Sequence, residues 1–276
     1  MKPPRLTRKI LSTLMIVPAM IMATPARAGV GDLLVAPTRI ILNGSRGTEI
    51  ILNNIGDDVA TYRVSVELRR MRADGTPEDV AAPNAAEIAA RDMILYAPRR
   101  VTLPPNQPQS IRIAARAPAG LADGEYRVHL LFRAIPPARP ADAAAEASAK
   151  GIGFSLRPIY GVTIPVIVRL GNLEARAGIA NVHLVKAAGK TVIAMDVTRS
   201  GSRSIYGDVK VFKPGIAEPI AIQRGVAVYT EIGARSIQVP VEAAVVAQAN
   251  GPVKVQFFEK NDGIDSLAAE TSAVLR

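Results

Sequence analysis

The sequence predicts an all-β protein made of two β-sandwiches in tandem, and three observations predict it. Apolar and polar residues alternate with period two from residue 30 onward, while long runs of period 3.6 are scarce. Clusters of Gly, Asn, Asp and Pro interrupt that alternation at short intervals. The 276 residues, 49% hydrophobic, carry enough apolar material for one large domain or two of ordinary size.

Residues 1–28 stand apart from this pattern. Lys2, Arg5, Arg8 and Lys9 precede an apolar run over residues 10–22, and Ala26-Arg27-Ala28 follows as a small-x-small cleavage pattern. That order is a secretory signal peptide cut after Ala28. The run is shorter than the ~20 residues a membrane span needs, and no later stretch is long enough, so no stable membrane insertion is expected. Removing these residues leaves 29 basic against 24 acidic residues, a net charge of +5 rather than +10. A mild excess of that kind is no signature of nucleic-acid binding.

The first sandwich is placed at residues 29–170. Tyr62, Val64, Val66 and Leu68 alternate with Arg63, Ser65, Glu67 and Arg69, and Tyr126, Val128, Leu130 and Phe132 alternate with Arg127, His129 and Arg133. Such strands have one face in a core and one in water. Ile111 and Ile113 flank Arg112 in the same way. Residues 84–92, rich in Ala, read as a loop carrying a short turn. Residues 136–151 read as a long loop between strands. Residues 152–170 are apolar or alternating for nearly twenty positions, which is long for one strand. The second sandwich is placed at 171–276, with a hairpin about Ala187-Ala188-Gly189-Lys190 and further strands near 205–213, 218–224, 235–242 and 252–259.

Residue chemistry argues against an enzyme. Without cysteine there is no disulfide scaffold, thiol nucleophile or zinc ribbon. The two histidines, His129 on a polar strand face and His183 in the other domain, are too few and too far apart for a metal site. Ala187-Ala188-Gly189-Lys190-Thr191 lacks the earlier glycine of a phosphate loop, since Leu184 stands there, and it sits in a hairpin. Ser200, Ser202 and Ser204 have no glycine elbow. No cofactor is expected.

Four segments carry a resemblance. They are Ala36-Pro37-Thr38-Arg39-Ile40-Ile41-Leu42; Tyr96-Ala97-Pro98-Arg99-Arg100-Val101-Thr102-Leu103-Pro104-Pro105 with Gln109-Ser110-Ile111-Arg112-Ile113; Gly124-Glu125-Tyr126-Arg127-Val128-His129-Leu130-Leu131-Phe132-Arg133; and Gly161-Val162-Thr163-Ile164-Pro165-Val166-Ile167-Val168-Arg169. In this order, behind a signal peptide, residues 30–170 resemble the PapD-like periplasmic chaperones of chaperone–usher pilus assembly, closest to their archaic branch.

The resemblance implies two immunoglobulin-like domains in a boomerang, a periplasmic location, a pilin or fimbrial subunit as partner and an outer-membrane usher that receives it. A pilin lacking its last strand exposes an apolar groove and unpaired edges, and the chaperone lends a strand to cover them. Ile152, Phe154, Leu156, Tyr160 and Val162 are the implied donor residues, with Pro158 interrupting them. Arg39 matches the arginine that clasps the subunit's C-terminal carboxylate, a role suited to a bidentate guanidinium. The lysine that usually completes the clasp falls on Pro165, which has neither charge nor backbone donor. Arg99, Arg100, Arg127 and Arg169 are the cations that can replace it. The alternative is a secreted structural or adhesive β-sandwich surface protein. Residues 29–34 give it little of the N-terminal extension a fibre subunit uses. A carbohydrate-binding module is disfavoured by 4% aromatics and no Trp.

Overall fold

The computed structural model describes residues 32–44, 46–136, 159–187, 190–261 and 263–276. In chain order the elements are β1 (Leu33–Ala36), β2 (Ile40–Asn43), β3 (Thr48–Asn54), β4 (Ala60–Glu67), β5 (Arg69–Met71), β6 (Pro77–Asp79), α1 (Ala85–Asp92), β7 (Ile94–Ala97), β8 (Arg100–Leu103), β9 (Pro108–Ala115), β10 (Gly124–Ile135) and β11 (Gly161–Leu170). They continue as β12 (Ala175–Ala187), β13 (Lys190–Gly201), β14 (Ile205–Phe212), β15 (Ala221–Val228), β16 (Ala234–Pro240), a 3-10 turn over Ala243–Gln248, β17 (Gly251–Asn261) and β18 (Ile264–Leu275). The signal peptide at 1–28 and the donor residues Ile152, Phe154 and Leu156 lie outside the described residues.

Two sheets face each other in the first sandwich, ordered β1-β3-β9-β7 and β2-β11-β10-β4-β8. Period-two alternation sends Ile50, Leu52, Ile111, Leu130, Phe132 and Val166 inward, all fully buried in one cluster. Each such side chain contributes about 1.5–3 kcal/mol of burial free energy. The chain changes sheets at Pro37-Thr38-Arg39. Before it, β1 pairs with β3, and after it β2 runs parallel to β11 with Ile40 opposite Val166. Proline brings no N–H to a ladder, so pairing stops there and Arg39 is left at the crossing.

The second sandwich packs β12-β13-β16 on β15-β14-β17-β18 around Ile193, Val197, Val209, Val255 and Phe257. The hairpin near residue 188 is present, with Ala187 opposite Lys190, but its strands are longer than the sequence pattern indicates. The sequence reading stopped near residue 259 and missed β18, because Ile264–Leu275 is an edge strand that is mostly exposed and carries few large apolar residues.

Residues 84–92 are a helix rather than a loop. The Asn84 side chain accepts from the Glu87 backbone N–H at 2.9 Å and the Glu87 carboxylate accepts from the Asn84 N–H at 2.8 Å. This reciprocal pair satisfies two donors that a helix start leaves unpaired. Ala90 and Met93 then enter the first core.

Gly207 marks the tightest approach in the second sandwich. It lies in β14 between β15 and β17, and a Cβ there would stand 2.0 Å from the Phe258 carbonyl oxygen. Backbone on backbone cannot yield as a side-chain tip does. Gly207→Ala should destabilise the protein by about 2 kcal/mol or more, lowering Tm by about 4–8 °C, measured by thermal unfolding.

Candidate functional site: the junction face

The second face of sheet β2-β11-β10-β4-β8 is not solvated where it meets the second sandwich. Across β10 and β11, Glu125 stands opposite Arg169, Arg127 opposite Ile167 and His129 opposite Pro165. Arg39 and Ile41 point the same way, since Ile40 and Leu42 fill the first core. Ile167, Ala227 and Tyr229 form a small apolar cluster here, with Ile41, Met71 and Tyr206 packed against it. The alternation that places Arg127 and His129 in water is therefore corrected: both are on the outward face but neither is solvated, Arg127 lying against Tyr229 and Glu231 of the second sandwich and His129 only 9% exposed.

Charges on a covered face need partners, because an unpaired buried charge is costly. Glu125, 1% exposed at its side chain, accepts from Arg169 Nε at 3.0 Å and from the Ser204 backbone N–H at 3.1 Å. Arg127 pairs with Glu231, donates to the Arg69 carbonyl at 2.8 Å and stacks 3.5 Å from the Tyr229 ring centroid. Glu231 also accepts from the Met71 N–H at 2.7 Å. The β5–β6 hairpin reaches across as well: the Ser236 N–H donates to the Ala73 carbonyl at 2.8 Å.

Arg39 is treated differently. Its Nη1 donates to the Tyr229 hydroxyl at 3.3 Å and its Nη2 to Ser204 Oγ at 3.2 Å. Its guanidinium lies 4.7 Å from the Tyr206 ring centroid and 5.5 Å from that of Tyr229. Its Nε is buried without a hydrogen-bond partner, and it makes no ion pair among the described residues. Burial lowers its pKa from the usual arginine value, opposed by Tyr229 and Glu125, and an arginine so placed keeps its charge.

Pro165 stands one position before the Val166–Ile40 pair, beside Arg39 and opposite His129. Of the alternative cations, Arg127 and Arg169 are on the junction face, each already bound to a carboxylate. Arg99 and Arg100 are not brought to Arg39. Arg100 opens β8, at the opposite edge of the sheet from β2, and is exposed. Arg99 lies over the Tyr96 ring and lines a cleft of about 550 Å³ with Leu95 and Arg112.

Among the described residues, the N-terminal part of β11 has one edge that no strand pairs. Gly161 to Pro165 pair with β10 on one side, whereas β2 joins the other side only from Val166. Val162 faces Phe132 and is half-buried against the first core, while Tyr160 is exposed and its carbonyl accepts from the Ala134 N–H at 3.0 Å. Ser204, Tyr206, Tyr229 and Glu231 were missed from sequence because they come from loops and strands more than 160 positions from Arg39, with no local motif. Among the described residues no cluster could hold a metal ion and no helix is long and apolar enough to cross a membrane.

No protein-family model matches the chain, and no curated protein is similar to it in sequence. Among solved structures it is similar to the YadV chaperone, at 15% identity and a TM-score of 0.47, covering 88% of this chain and 100% of that one. It is similar also to the E. coli chaperone DraB (15%, TM-score 0.46, 91% and 99% covered) and to the Pseudomonas aeruginosa CupB2 chaperone (13%, TM-score 0.45, 88% and 100%). A shared partner does not follow from a shared shape at such identities.

His129 gives the junction a pH signature. Burial first, then Arg127 and Arg69, depress its pKa from 6.5 to about 3, so it stays neutral in the fold. Below 6.5 the unfolded chain takes up a proton that the native state refuses, so stability falls as pH falls through that range and on toward 3. The loss reaches about 2 kcal/mol near pH ~5. Urea unfolding of His129→Gln should show a smaller drop between pH ~7 and pH ~5, by about that amount. An unchanged pH slope would show that His129 does not set it.

Proposed function

We propose that this protein is a periplasmic assembly chaperone that binds pilin or fimbrial subunits by lending them a strand and passes them to an outer-membrane usher. Residues 1–28 direct its export. The observation that carries the reading is Arg39, a mostly buried guanidinium with two hydroxyl partners and no carboxylate among the described residues, set at the end of an open strand edge.

The two features define one direction of docking. A strand added along Gly161 to Pro165 occupies the same edge as β2 and must end where β2 begins. If it runs parallel to β11, as β2 does, its last residue arrives at Arg39. A chain terminus is a carboxylate, and arginine binds carboxylates with two directed hydrogen bonds. The guanidinium thus fixes both polarity and register, while main-chain bonds along the edge give affinity.

Upstream of that edge, Ile152, Phe154 and Leu156 recur two positions apart and, with the exposed Tyr160, are the side chains offered to the subunit's groove, whereas Val162, expected among them from sequence, packs against the protein's own first core instead. Each large side chain fully buried there contributes about 1.5–3 kcal/mol. The similarity to solved chaperone structures is in keeping with this reading, and one of these is described as a complex of a Salmonella enterica pilin with its chaperone.

Co-purification from periplasm with a subunit encoded beside the chain tests the proposal. Wild type should yield a soluble equimolar complex. Phe154→Asp/Leu156→Asp should lose the subunit to aggregation or proteolysis, and Arg39→Ala should lose it as well. If no subunit depends on the protein, the reading falls and a structural surface protein takes its place.

A further inference from the structure

We infer that the second sandwich is part of the carboxylate site: Tyr206, Tyr229 and Ser204 form a cradle that positions Arg39 for its ligand. This rests on the anchor reading above and adds residues to it. All three come from beyond residue 200, whereas Arg39 belongs to the first sandwich.

The cradle orients the guanidinium without neutralising it. A guanidinium has five N–H donors, and two hydroxyls engage one each at Nη1 and Nη2. One further N–H on each of Nη1 and Nη2 is left over for a carboxylate's two oxygens, while the Nε–H is buried without a partner among the described residues and reports on the guanidinium's charge environment. The junction's acids are engaged elsewhere: Glu125, whose charge acts on Arg39, is held by Arg169, and Glu231 by Arg127. Ser204 is wholly buried and Tyr229 is 8% exposed, so both hydroxyls are held by their surroundings rather than by the ligand.

This also accounts for Pro165. Position 165 brings no cation beside Arg39, and the cation that β11 does carry, Arg169, is engaged by Glu125. The second sandwich orders the guanidinium in advance, and a pre-ordered side chain loses less entropy on binding. Capture of a carboxylate is thereby tied to the closed junction.

The test uses the full mature protein without any subunit, so its outcome is independent of whether a pilin is the partner. N-acetylglycine is titrated in while the Arg39 Nε–H signal, identified by its loss in Arg39→Lys, is followed by NMR; N-acetylglycinamide is the uncharged control. The carboxylate should shift the signal saturably and the amide should not. Tyr229→Phe keeps the ring on Arg127 and loses only the hydroxyl, and Ser204→Ala is a second small deletion. Each should weaken carboxylate binding about three- to tenfold with thermal unfolding near wild type. Wild-type affinity in both variants, equal response to the amide, or no saturable shift in wild type would overturn the cradle.

Discussion

The organisation of the junction depends on one constraint: sheet β2-β11-β10-β4-β8 is covered on both faces where it meets the second sandwich, about Arg39, Glu125, Arg127 and Arg169. Its inner face follows ordinary packing, with Val128, Leu130, Phe132, Ile164 and Val166 in a common core. Its outer face carries Glu125, Arg127, His129, Arg169 and Arg39, none of which tolerates burial without a partner. The second sandwich supplies partners to Arg39, Glu125 and Arg127, Arg169 pairs with Glu125 in its own sheet, and His129 is buried in its neutral form. Glu231 meets Arg127, the Ser204 N–H meets Glu125, and Tyr229 lies against two guanidinium groups. Breaking one of these pairs leaves a charge stranded, so the two sandwiches hold one another in place through polar contacts as much as through Ile167 and Tyr229.

Within that network Arg39 is the exception that points outward in function. The other two arginines of the face each hold a carboxylate, Arg127 that of Glu231 and Arg169 that of Glu125, while Arg39 has only neutral hydroxyl partners among the described residues. Its place follows from the chain's change of sheet at Pro37, which ends one ladder and begins another. That crossing puts a cation at the end of an edge that no described strand pairs. A free strand edge invites addition, and a charged stop selects which end of the added strand arrives.

Much of this was legible in the sequence. The alternation about Val64 and Leu130, the turn clusters between strands and the restart of the pattern after residue 170 pointed to two sandwiches, because strand faces obey period two whatever lies beyond them. Arg39 was singled out through the segment that carries it, though not the hydroxyls of Ser204 and Tyr229 that meet it. What period two cannot say is what covers the polar face: Arg127 and His129 read as solvated, and only the tertiary fold brings Tyr229 and Glu231 over them. The helix at 85–92 had a local signal in Asn84 and Glu87, three positions apart, that the Ala-rich composition obscured. Strand β18 had almost none, since an edge strand with an exposed face needs few apolar residues.

The measurement that tests the central claim most directly is amide hydrogen exchange of the mature protein, alone and with a subunit encoded beside it. The account predicts that the amides of residues 152–165 gain protection on adding the subunit, with those of β16 and β17 unchanged. No added protection in 152–165, or protection confined to the second sandwich, would contradict strand lending at this edge.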